Sequence, residues 1–116
     1  MGVLNRTMRR IKAPRNLFRS LRACRIEWDP FDDRSTAARE LLRQLSGKRV
    51  RQGNPDLRLE TIMQDGQRAE AVARVHLEFV TGEKRVLDAS GMTFRDVRDE
   101  IAAVAMKDPT RWMKES

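Results

Sequence analysis

Between residues 21 and 46 the spacing of apolar side chains changes once, and that change constrains the fold more than any other feature. In Leu21–Trp28, "LRACRIEW", Cys24, Ile26 and Trp28 alternate with Arg25 and Glu27, the two-residue period of a half-buried strand. From about Ser35 to Ser46 the period lengthens, and Ala37, Ala38, Leu41, Leu42 and Leu45 fall on one stripe, as in an amphipathic helix. Ser35 stands where such a helix is capped, and Gly47 where it ends. A strand, a helix and then a further strand join by a right-handed crossover, so the first two strands should pair in parallel.

The rest of the chain extends that plan. "KRVRQGNPD", Lys48–Asp56, reads as a polar loop with a turn signal at Gly53-Asn54-Pro55. Leu57, Leu59, Thr61 and Met63 alternate as a second strand, and Asp65-Gly66 marks the next turn. Ala71, Ala73, Val75, Leu77 and Phe79 line one face of a third strand, with Arg74, His76 and Glu78 on the other. The Thr81-Gly82 turn leads into a short fourth strand, Arg85–Asp88, forming a hairpin with the third. A last helix spans about Phe94–Lys107, with Phe94, Val97, Ile101 and Val104 inward. Thr93 and Asp96 suit a capping box, Met92 can staple onto Val97, and Asp108-Pro109 stops the helix. In the tail "TRWMKES", Trp112 and Met113 form either a lid or an anchor on a neighbour.

The order is β-α-β-β-β-α, an α/β chain with a mixed four-stranded sheet and two helices. That is the thioredoxin-like plan without its middle helix, preceded by a basic N-terminal extension. A length of 116 residues suits one domain. We divide it into a basic arm over residues 1–20, a thioredoxin-like domain over 21–107 and a tail over 108–116. No run of 18 or more apolar residues is present, so no membrane insertion is expected.

Charge separates the arm from the domain. Of 24 basic side chains, Arg6, Arg9, Arg10, Lys12, Arg15, Arg19, Arg22 and Arg25 lie within the first 26 residues, where there is no acid. The other 16 face 17 acidic side chains, so a nearly neutral domain carries an arm suited to a polyanion. Arginine outnumbers lysine 19 to 5, which favours bidentate contact with phosphate. Leu4, Met8 and Ile11 fall at helical spacing in the arm. An arginine-rich start without acid also matches a mitochondrial transit peptide.

The run "CRIEWDPFDDRSTAARELL", Cys24–Leu42, is similar to a segment of the mitochondrial large-subunit ribosomal protein family numbered fifty-three. That family has a strand ending in an aromatic, a pair like Pro30-Phe31, then Ser-Thr and an arginine opening a helix, as at Ser35, Thr36 and Arg39. The hairpin "VHLEFVTGEKRVL", Val75–Leu87, fits the family's next segment. The resemblance covers roughly residues 21–107 and implies a thioredoxin-like, non-catalytic structural constituent of the large subunit in the mitochondrial matrix. Its implied partners are mitochondrial large-subunit rRNA and neighbouring ribosomal proteins, with no small-molecule substrate. The same minimal fold occurs in an accessory subunit of a respiratory-chain complex, which is the alternative assignment.

The residues themselves speak against chemistry. A thioredoxin-like oxidoreductase needs a low-pKa cysteine at the start of the first helix, where this chain has Trp28-Asp29-Pro30-Phe31-Asp32-Asp33. Asp32 and Asp33 suit a helix N-terminus, Pro30 stiffens the turn, and Phe31 should pack onto the domain. Asp29, Asp32 and Asp33 make a weak metal set without further ligands, so no metal, cofactor or catalytic residue is assigned. Cys24 reads as a small buried hydrophobe, and His76 as a surface histidine. RNA contact is assigned to Arg6, Arg9, Arg10, Lys12, Arg15 and Arg19 of the arm. A second basic group adds Arg39, Arg43, Lys48, Arg49 and Arg51, on the first helix and the loop after it, with the helical pair facing away from the core. A reading from Ser35 onward as a double-stranded-RNA-binding domain fails at the last helix, where Asp96, Asp99 and Glu100 would repel phosphate.

Overall fold

A computed structural model of the chain, in which residues 14–63 and 73–113 are described, contains one mixed sheet of four strands. Strand β1 (Leu21–Trp28) leads through helix α1 (Thr36–Leu45) and helix α2 (Lys48–Gly53) to β2 (Arg58–Met63). Strands β3 (Ala73–Phe79) and β4 (Lys84–Asp88) follow, then α3 (Phe94–Ala105). The sheet order is β2-β1-β3-β4. β1 runs parallel to β2 and antiparallel to β3, which pairs antiparallel with β4. The fold is therefore α/β and thioredoxin-like in plan. The arm residues Leu4, Met8 and Ile11, the basic residues Arg6, Arg9, Arg10 and Lys12, the Asp65-Gly66 turn and Ala71 lie outside the described residues.

Register explains the core. Cys24, Ile26 and Trp28 stand opposite Leu77, Val75 and Ala73, so the alternation in both strands puts one apolar row beside another. All six are buried. Onto this row pack Ala37, Ala38, Leu41 and Leu45 of α1 and Val97, Ile101, Ala102 and Ala105 of α3. Each large aliphatic residue so buried contributes about 1.5–3 kcal/mol. The tail closes one end: Trp112 is 4% exposed and donates its Nε1–H to the Ala105 carbonyl at 2.9 Å, which makes it a lid. A 3-10 turn, Leu17–Ser20, also enters the core through Leu17.

One turn and one helix end follow local chemistry. The Thr93 hydroxyl accepts from the Asp96 N–H while the Asp96 carboxylate accepts from the Thr93 N–H, each at 3.1 Å, the expected capping box. Gly82 takes φ +96° in the β3–β4 hairpin, a region glycine enters without a Cβ penalty.

Three expectations are corrected. Ser35 occupies the N-cap position of α1 as expected, but its side chain makes no capping bond; it is buried, and its hydroxyl donates to the Asp29 carbonyl at 2.7 Å. The capping carboxylate belongs to Asp32, whose Oδ1 accepts from the Arg34 N–H at the start of a 3-10 turn, Asp33–Ser35. Phe31 does not pack onto the domain: it is 94% exposed, because the turn's hydrogen bonds fix its backbone and point the ring outward. The supposed loop after α1 begins with a helix, α2, whose side chains include only one apolar residue, Val50.

Candidate nucleic-acid interface

The turn after β1 uses its polar groups on itself. The Asp29 carboxylate accepts from the Phe31 N–H at 3.0 Å, and Asp29 is nearly buried. Arg34 donates from Nε and Nη2 to Asp32 at 3.1 and 2.9 Å, and these bonds hold the Asp32 carboxyl below its usual range. Arg39 of α1 reaches back to the Pro30 carbonyl at 2.7 Å. Its guanidinium also lies 5.6 Å from the Trp28 ring centroid, within cation–π range. Cys24 sits in mid-strand under the helices, and burial pushes its thiol up to about 12. That is the opposite of an activated thiolate. Among the described residues no cluster of three or more metal-ligating side chains forms.

The sheet's other face is charged but balanced. β1 presents Arg25 and Glu27 beside His76 and Glu78 of β3. His76 Nε2 lies 3.5 Å from Glu27 Oε1, and Arg25 Nη2 lies 3.4 Å from the same carboxylate's other oxygen. Arg22 turns to Glu78 at 3.4 Å and donates to the Val80 carbonyl at 3.0 Å. The basic charge near the start of β1 is thus answered within the sheet.

Uncompensated basic charge collects elsewhere. The end of the arm and α2 border one groove, lined by Arg15, Phe18, Arg19, Arg49, Val50 and Asn54, among others, with no acidic side chain among the described residues. Asn54 holds its two walls together: its Nδ2 donates to the Phe18 and Leu21 carbonyls at 2.9 and 2.8 Å. Neither Arg15, Arg19 nor Arg49 pairs with a carboxylate among the described residues, and the same holds for Lys48 and Arg51. Arg51 borders an adjacent hollow with Asn54 and Leu57.

The structure therefore divides the second basic group. Arg49 joins Arg15 and Arg19, and Lys48 and Arg51 flank them on α2. Arg39 is held against Trp28 and Pro30. Arg43 donates from Nε and Nη2 to both oxygens of Glu40, at 3.1 and 2.7 Å. The Glu40 carboxyl accordingly falls to about 2, through its hydrogen bonds from Arg43 and then Gln44. Of the groove residues, Asn16, Phe18 and Val50 were not singled out in the sequence; the Gly53-Asn54-Pro55 signal marked a turn but carried no hint that the Asn54 amide would join α2 to the chain at Phe18 and Leu21. No helix among the described residues is long and apolar enough to cross a membrane. No protein-family model matches the chain, and no curated protein matches it.

Proposed function

We propose that the protein is a non-catalytic structural constituent of the mitochondrial large ribosomal subunit. Its basic arm and the adjoining face of α2 bind rRNA, and its sheet domain meets neighbouring ribosomal proteins. The observation that carries this reading is the acid-free convergence of Arg15 and Arg19 with Arg49. Guanidiniums without carboxylate partners are available to phosphate, and such contacts hold position without reading sequence. The resemblance of residues 24–42 and 75–87 to the ribosomal family supplies the assembly and the compartment.

A second reading, an accessory subunit of a respiratory-chain complex, is favoured by the sheet's open face. Its paired Arg25, Glu27 and His76 suit a protein surface better than phosphate. Sedimentation of mitochondrial lysate containing a tagged copy separates the two. Co-migration with large-subunit rRNA that collapses on ribonuclease treatment is expected. Migration with a membrane complex, indifferent to ribonuclease, overturns the ribosomal reading.

A further inference from the structure

The groove between the Leu17–Ser20 turn and α2 offers more than charge. Half-buried Phe18 and Val50 line it beside the three arginines. It encloses about 250 Å³, less than the roughly 300–1,000 Å³ of a pocket for a drug-sized molecule. A duplex backbone asks a protein surface for cations and gains nothing from an apolar floor. An unstacked nucleotide asks for both: its base has a flat π-face to cover, and the phosphates on either side need positive charge. The Asn54 bonds to the Phe18 and Leu21 carbonyls set the groove's width before any ligand arrives, so little ordering cost remains on binding. An acidic peptide would also pair with guanidiniums, but carboxylate side chains leave an apolar floor uncovered.

We infer that this groove receives a single-stranded stretch of RNA, with one unstacked base against Phe18 and Val50 and its flanking phosphates on Arg15, Arg19 and Arg49. The inference rests on the RNA-binding reading above and narrows it to a class of RNA and a mode of contact.

The test compares full-length chain binding a labelled oligouridylate and an RNA duplex of equal phosphate count, by fluorescence anisotropy at one moderate salt concentration. Phe18→Leu keeps an apolar side chain and the net charge but removes the flat ring. Gly53→Glu adds a carboxylate at the groove wall, where a Cβ meets nothing within 4 Å and the backbone is unstrained. Melting temperatures of both variants establish that they are folded. The expected result is tighter binding of the single strand, weakened about tenfold by Phe18→Leu while duplex binding is unchanged, and weakened selectively by Gly53→Glu as well. Duplex binding as tight as single-strand binding, with neither variant discriminating, overturns the inference and leaves the arm on phosphate. Displacement of the RNA by oligoglutamate as readily as by unlabelled RNA also overturns it, in favour of an acidic protein segment. If neither RNA binds, the RNA-binding reading itself falls.

Discussion

Phe31 and Trp112 show how little an aromatic residue's type says about its place. Phe31 is 94% exposed, whereas Trp112 is 4% exposed and hydrogen-bonded to Ala105. Phe31→Ala should therefore leave the unfolding free energy within about 0.5 kcal/mol, whereas Trp112→Ala should lower it by about 3–5 kcal/mol. Urea titration of both variants checks the contrast. Cys24 gives a chemical readout of the same core. With its thiol buried and pushed up to about 12, it should react with a thiol reagent at neutral pH only when the domain opens. Labelling rates should then rise with urea in step with unfolding, and fast labelling of native protein would contradict the burial. The inward place of Cys24 was legible in the sequence because alternation with Arg25 fixed its face. The place of Phe31 was not, because it depends on hydrogen bonds that the Asp29 carboxylate accepts and that Arg39 and Ser35 donate, none of which periodicity records.

Among the strands and α-helices, α2 was the one hidden. Six residues with Val50 as the only apolar side chain give no stripe at helical spacing, so composition alone reads as loop. The strands and the two long helices carried repeated signals and were legible, as was the capping box of α3. Thr93→Ala removes one half of that box and should cost about 1 kcal/mol, measured by denaturant titration. Helix α1 has a pH-dependent device in Glu40 and Arg43. The Glu40 carboxyl is depressed from 4.5 to about 2 in the folded chain, so its ionised form favours the native state. That contribution is complete above the unfolded value and disappears as the pH falls through about 2. The pair is exposed to solvent and screened, so the effect is small. Thermal melts of the wild type and Glu40→Gln should show a stability difference at pH 6 that shrinks steadily below pH 4.

The whole molecule joins a balanced domain to an acid-free arm. If the arm and groove neutralise about six phosphates, affinity for isolated RNA should fall about a thousandfold between 50 and 200 mM salt. Anisotropy titrations across that range measure the slope, and binding indifferent to salt would remove the electrostatic basis of the proposed function. The sheet plan was legible because a strand, a helix and a strand admit one handed crossover. The groove was not, since Arg15 and Arg19 meet Arg49 only after α2 folds back against the chain before β1 and Asn54 ties them.

One feature of the topology bears on how the chain is made. β1 is the first strand among the described residues and an inner strand of the sheet, between β2 and β3. During vectorial synthesis it emerges with both edges bare, and its antiparallel partner is complete only at Phe79. Among the described strand pairs only the β3–β4 hairpin joins residues close in sequence, so closing β1 on both sides needs long-range contacts, the kind that slow folding. Arg22, Arg25 and Glu27 put charge on this strand, the kind of side chain that discourages a bare edge from pairing with another chain.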